Sequence, residues 1–447
     1  MQPTSRRRRV MPVRAAALLA FAWSVAGGAA AATLTEAVQV AIETNPEIAL
    51  ASAGRDVADS ELRQAQGRYL PQLDLEAYGG VEWTDSPGTR ASGLDNPRTY
   101  PDQVSVVLQQ LLFDGFATPR EVQRQAARTD AAANRVFERA EFIGLEVIQV
   151  YLDVMRQMEL AELSRANIAV HVQTLSNVRQ RQRGGRGSIA DVQQAEQRLH
   201  AAEATLVDIE RALEDARAAY ERLVGEPAGA MTRPAPAIGA MPSDVGTAVL
   251  EATGNNPALR SARADFNAAL AAYRGSAASY YPRVTVESRA NFGNDLSGVE
   301  GRDDSYDVRV IARYNLFRGG IDRANRQAQL GRVDEARNRV LALERDVEEL
   351  VRQSWNALDS ASRRLDLLDR EVAASERVRR SYRQQFNVGQ RSLLDLLDSD
   401  TELFGTRVAR ANVDYALIFA RYRLLAATGA LLGSLGILPP PAAATGP

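Results

Sequence analysis

The chain has 447 residues, 45% hydrophobic and 25% charged, with a formal net charge of −2; cysteine and lysine are absent, so all 54 basic residues are arginine. These proportions describe a folded chain, exclude a disulfide scaffold, and offer no basic excess for a nucleic-acid partner. Aromatics at 6%, beside abundant alanine and leucine, favour helix.

At the N-terminus, Arg6 to Arg9 and Arg14 precede an apolar run, Ala15 to Val25, and then the small residues 27–32. A basic segment, an apolar segment too short to span a bilayer comfortably and an A-x-A-type site predict a signal peptide over 1–32, cut near Ala32. Its removal takes five arginines and no acid, moving the formal charge from −2 to −7. No cysteine follows the signal, so a lipoprotein anchor is not expected. No later stretch reaches about 18 uninterrupted apolar residues, so any membrane span is expected to be built of strands.

Residues 33–225 form a first unit. The pattern predicts a helix over 34–67, strands over 71–81 and 102–113, a long helix over 119–183 and a returning helix over 188–224, with glycines 184, 185 and 187 at the turn. Residues 226–244 are too rich in Pro and Gly for either element and read as a linker. A second unit, 245–435, repeats the plan: a helix, strands over 282–292 and 306–317, a long helix over 321–387, Gly389, and a helix over 392–428. Residues 436–447 are expected to be a disordered tail.

The two units share a register. Asn45-Pro46 recurs as Asn256-Pro257 and Pro71 as Pro282, an offset of 211; Phe113 and Gly115 recur as Phe317 and Gly319, an offset of 204. That second offset holds at Gly185/Gly389, Ser188/Ser392 and Asp191/Asp395, so the long helical segment tolerates no length change. In the second unit Val284, Val286, Val308, Val310, Ala312 and Tyr314 fall on one strand face, and Arg283, Glu287, Arg289, Asp307, Arg309 and Arg313 on the other.

Four alternating strands of about ten residues suit a tilted outer-membrane span, yet about eight are needed to close a barrel. Open edges in lipid cost several kcal/mol per unpaired backbone group. The chain is therefore expected to oligomerise, and three copies would supply twelve strands. Helical runs of about 65 residues reach roughly 100 Å, and their arginines and glutamates rule out membrane helices. A soluble sandwich with helices is the competing architecture; it explains neither the export signal nor the long rods.

The duplicated plan and the segments "TNPEI", "YLPQLDLEA", "LLFDGF", "GRGSIADV" and "FNVGQRSLLDLLD" resemble the TolC family of outer-membrane channel-tunnels across essentially the whole mature chain. The resemblance implies a homotrimer in the outer membrane of a Gram-negative bacterium, with a twelve-stranded β-barrel and a periplasmic α-barrel. It implies a periplasmic adaptor and an inner-membrane ABC or proton-driven transporter as partners, no cofactor and no enzymatic activity. Type I protein secretion is the expected role, with multidrug efflux as the alternative; a periplasmic coiled-coil adaptor is the alternative of another class.

Asp395 and Asp398 lie three apart, on one helix face. A catalytic pair would need a pocket and further convergent groups, metal binding by two aspartates alone is nonspecific, and a solvated helix face is the plain alternative. The resemblance places both at an acidic tunnel entrance, where threefold symmetry would make a ring that favours cations. It also assigns Arg391 to links holding the entrance closed, with Asp191 as acceptor and Phe386 where the family has a tyrosine. One hydroxyl link is then expected to be missing; Tyr382 is the nearest substitute. Gly185, Gly187 and Ser188, with Gly389 and Ser392, are expected to form the hairpin-tip turns and touch the adaptor. "RGGRG" (183–187) lacks the Lys-Ser/Thr of a phosphate loop and is too short for an RNA-binding tract. His171 and His200 are expected to be solvated or helix-interface residues.

Overall fold

The computed structural model describes residues 33–94, 96–235 and 241–445; the expected signal peptide lies outside them. The first unit holds α1 (Leu34–Thr44), α2 (Pro46–Gly67), β1 (Gln72–Gly79), β2 (Glu82–Trp83), α3 (Pro87–Ala91), β3 (Arg98–Thr99), β4 (Asp102–Phe113), α4 (Ala117–Arg183) and α5 (Ile189–Val224). The second holds α6 (Val245–Asn255), α7 (Pro257–Gly275), β5 (Arg283–Asn294), β6 (Arg302–Arg313), α8 (Ile321–Asn387), α9 (Leu393–Thr428) and α10 (Leu431–Ser434).

The repeat is visible in helix length. Helices α4 and α8 both have 67 residues, and α5 and α9 both have 36. The Asn-Pro motif acts twice in the same way. Asn45 caps α2 by accepting from the Glu47 N–H, with Pro46 in the first turn, and its Nδ2 donates to the Leu223 carbonyl at 3.2 Å. Asn256 caps α7 and donates to the Ala427 carbonyl at 3.1 Å. Each asparagine thus ties a short helix pair to the end of its unit's returning helix, satisfying buried backbone groups.

The four long strands form one antiparallel sheet in the order β1-β4-β5-β6. Its register puts Leu73 opposite Leu108, Val104 opposite Phe292, and Val286 opposite Val310, making one continuous apolar face. On the other face a polar ladder crosses all four strands. The Tyr78 hydroxyl donates to Gln103 Oε1 (2.6 Å), Gln103 Nε2 to Ser105 Oγ (3.1 Å), Ser105 Oγ to Asn291 Oδ1 (2.8 Å) and Asn291 Nδ2 to Ser305 Oγ (3.0 Å).

The two units are not equally covered. Strand β4 reaches Phe113 because β5 pairs with it there, Phe113 facing Val284. The last strand was expected over 306–317 but runs Arg302–Arg313, since β5 begins at Arg283, opposite Arg313, and among the described residues no strand pairs with 314–317. Phe113 packs edge-on against Phe116 and Tyr281, whereas its repeat-mate Phe317 is 87% exposed. Gly115 has φ +68°, and a Cβ there would come 2.7 Å from the Ala278 carbonyl; its repeat-mate Gly319 faces open space. Helix α8 likewise buries only Val333, Val347, Val351, Ser354 and Leu368, far fewer than α4. One half of each quasi-symmetric contact is made inside the chain and the other half is left open.

The segment between β1 and β4 carries structure of its own: β2 pairs with β3, and α3 is capped by Ser86 and Thr89. The expected disordered tail over 436–447 also needs correction for 436–445. Ile437 is buried in the main core beside Leu431 and Leu432, and residues 441–443 form a 3-10 turn on α4. Apolar residues at 431, 432 and 437 give this segment something to bury, and the prolines at 439–441 limit its freedom to leave. Residues 446–447 lie outside the described residues.

Candidate functional site

The two hairpin tips are built alike. At the end of α4 the Arg186 N–H bonds the Arg181 carbonyl and the Gly185 N–H the Gln182 carbonyl; at the end of α8, Gln390 and Gly389 bond Gln385 and Phe386. Both are Schellman turns, which need a left-handed residue, and Gly185 (φ +73°) and Gly389 (φ +81°) supply it. Gly187 closes the first turn over the Gln182 backbone.

The next helices start on matching caps. Ser188 Oγ accepts from the Asp191 N–H while Asp191 Oδ2 accepts from the Ser188 N–H at 2.9 Å, a complete capping box. Ser392 Oγ accepts from the Asp395 N–H and donates to Asp395 Oδ2 at 2.7 Å. The repeated Ser-x-x-Asp is a helix-start pattern. Its second meaning is that Asp191 and Asp395 have a structural role irrespective of any gate.

The chain does not bring Arg391 to Asp191. The Arg391 guanidinium lies 4.0 Å over the Tyr382 ring, its Nε donates to Gln385 Oε1, and Nη1 stands 3.8 Å from Asp395 Oδ2. Phe386, expected to lack a link, gains another kind: Arg181 of α4 lies 4.4 Å over its ring and donates to its carbonyl at 3.0 Å. The Phe386 ring thus joins the two hairpins through an arginine–aromatic contact. Phe386 also packs on the apolar tip cluster, where Leu175, Val178, Val192, Ala195 and Leu199 meet Leu393 and Leu397.

Asp395 is half-buried and Asp398 exposed, and Arg198 of α5 donates to Asp398 Oδ1 at 2.8 Å. Below them sits a group that residue spacing did not single out. Asp400 is buried and accepts from Arg379 Nε at 2.6 Å, with Arg383 3.9 Å away, while its Oδ2 has no partner among the described residues. His171 of α4 is buried with Nδ1 unpartnered, and burial pushes its imidazole below the usual range although Asp400 pulls the other way. His200 is exposed and faces Glu203. Arg198 reaches Asp398, and His171 comes near Asp400, only through packing between hairpins, whereas Arg379 meets Asp400 across the two arms of the second hairpin. The arrangement positions charge around an apolar knob; among the described residues no group of three or more His, Cys, Asp or Glu could hold a metal ion.

A sequence model of the family described as outer membrane efflux protein matches residues 37–226 and 249–430. The chain is 24% identical over 418 residues to the outer membrane efflux protein BepC of Brucella suis, covering 93% of this chain and 90% of that protein. It is 24% identical over 415 residues to the alkaline protease secretion protein AprF of Pseudomonas aeruginosa, covering 88% and 84%. The solved outer-membrane channel OprN superposes with a TM-score of 0.78 at 19% identity, covering 89% of this chain and 90% of that one.

Proposed function

The chain belongs to the outer membrane efflux protein family, and on that premise we propose that three copies form the passive exit duct of a type I protein secretion system. The carrying observation is the half-open sheet. Its apolar face suits lipid and its polar face a wet lumen, while β1 and β6 keep free edges that a membrane does not tolerate. Because β4 pairs with β5 inside the chain, the repeat supports β6 pairing with β1 of a next copy. The exposed Phe317 and the open Gly319 wait on the same neighbour.

The duct would work with a periplasmic adaptor and an inner-membrane transporter and would carry no catalytic group of its own. Secretion is supported by the likeness to a protein named for protease secretion. The likeness to a protein named for efflux favours drug export as the second reading. Deleting the gene separates them. Loss of an extracellular protein with unchanged drug susceptibility supports secretion, and the reverse result supports efflux.

Asp395 and Asp398 would then ring the entrance, six carboxylates in three copies. Arg198 lies 2.8 Å from Asp398 and Arg391 3.8 Å from Asp395, so Asp395 is the less closely neutralised of the two and would carry more of the field. In planar bilayers Asp395→Ala with Asp398→Ala should lower cation selectivity, Asp395→Ala alone giving most of the change, and Arg391→Ser should raise conductance. Unchanged selectivity would return both acids to solvated surface. Wild-type chain that migrates as a soluble monomer, without heat-modifiable trimers, would sink the duct reading itself.

A further inference from the structure

Where the sheet meets the helices, the polar strand face opens into a cavity of about 570 Å³ lined by Arg68, Arg283, Arg313 and Arg318 together with Asp114. The acid is already committed, since Asp114 Oδ2 accepts from the Thr118 N–H at 2.8 Å and from its hydroxyl at 2.6 Å, starting α4. Arg318 reaches Asp322 at 3.2 Å. Among the described residues, Arg68, Arg283 and Arg313 make no ion pair within the chain, and nearby Glu121 is held by Arg124 at 2.7 Å. The cavity therefore carries an excess of positive charge with no anion assigned to it.

The register makes the excess specific. Strands β5 and β6 match opposite charges at two levels of the polar face, Glu287 opposite Arg309 and Arg289 opposite Asp307. At the helix end the same strands set Arg283 directly opposite Arg313. Like charges in that position repel, so this level departs from the charge matching at those two levels. Such local conflict is expected where a site is built for a ligand that relieves it. Guanidinium forks read oxyanions in pairs of hydrogen bonds, which a carboxylate or phosphate accepts and a chloride does not.

We propose that Arg68, Arg283, Arg313 and Arg318 form an oxyanion-binding station in the lumen at the barrel–helix junction, which takes carboxylates of an acidic peptide segment in transit. The polypeptide nature of the cargo rests on the secretion reading above; the oxyanion chemistry stands on the cavity and the strand register. Threefold assembly would repeat the station around one constriction, so that a multivalent acidic segment engages several copies at once.

The test uses the full-length, membrane-extracted protein in planar bilayers with hexaglutamate as the probe. Wild-type channels should be blocked, and the block should weaken as salt rises. The double variant Arg283→Gln with Arg313→Gln should weaken the block about tenfold, the loss of roughly one charge-assisted contact, and move the reversal potential in a KCl gradient towards cation preference. Arg283→Lys with Arg313→Lys keeps charge without the fork; it should keep the reversal potential and lose part of the block. An unchanged block in the Gln variant overturns the station. So does a Gln variant whose trimer dissociates, which would show these arginines neutralised by a neighbouring copy. Inorganic phosphate that blocks as strongly as hexaglutamate overturns the acidic-peptide assignment. A wild-type chain that forms no channel fails the duct reading before any variant is compared.

Discussion

The hairpin tips and the barrel junction are both charged, and they treat charge in opposite ways. At the tips the acids have partners inside the chain: Asp191 and Asp395 hold helix caps, Glu196 meets Arg179 at 2.6 Å, Asp398 meets Arg198, and Asp400 meets Arg379. At the junction, Arg283 faces Arg313 with no acid to receive either. A carboxylate that serves a helix cap or a neighbouring hairpin is first a structural element. A like-charge pair beside two charge-matched levels is a better pointer to a ligand than the more conspicuous acidic pair.

The contrast is most exposed to disproof at Asp400. If the tip is held by internal pairing, Asp400→Ala leaves Arg379 and Arg383 around a vacated, buried position and should cost about 3–5 kcal/mol. Thermal unfolding of the extracted protein reads the loss, and a variant as stable as wild type would mean that tip pairing is incidental.

Glu141, on α4 between the two regions, shows what a carboxylate does with neither arginine nor water. It accepts from the Leu431 and Leu432 N–H groups at 3.1 and 3.0 Å, anchoring the C-terminal segment. Burial pushes it up to about 7, against the pull of those two bonds. Its folded value lies above the ordinary 4.5, so the folded state holds the proton more tightly. The stability this contributes is full below about pH 4.5 and is lost as pH rises to about 7, a change of about 3 kcal/mol. Melting temperature should therefore fall across that window, and Glu141→Gln should flatten the slope. A wild-type profile that rises instead would show that the two backbone bonds outweigh burial.

The smallest expected effect is at Phe386. Phe386→Leu keeps apolar bulk in the tip cluster and removes the ring under Arg181, at a cost of about 1 kcal/mol. Phe386→Tyr should retain the contact. Faster proteolytic nicking near 183–187 in the leucine variant, and not in the tyrosine variant, would confirm the stacking; equal rates in both would return Phe386 to simple packing.

Much of this architecture was legible in the residues. Period-two alternation set the faces of the strands, because side chains on a strand must alternate. The constant offset of 204 set two equal rods, because helices that return along each other cannot change length independently. The tip glycines marked helix ends, because left-handed backbone is local chemistry. The caps made by Asn-Pro and Ser-x-x-Asp, including the break of the expected 34–67 helix at Asn45, came to light in the structure. The folded tail was less legible, since its few apolar residues gain a partner only once α1, α4 and α9 are assembled.

Pairings between distant segments arise only in the folded chain. Nothing near Asp398 names Arg198, nothing near Phe386 names Arg181, and neither Arg283 nor Arg313 announces the other. Alternation tells which face an arginine occupies, but only the strand register tells which charge stands opposite, and a slip of two residues would have given Arg313 another partner on the same face. The elements, their duplication and their faces are local and periodic properties, so the order of residues was enough to specify them. Where charge is cancelled and where it is left open was settled by packing, because electrostatic energy depends on distances that the chain sets only when it folds.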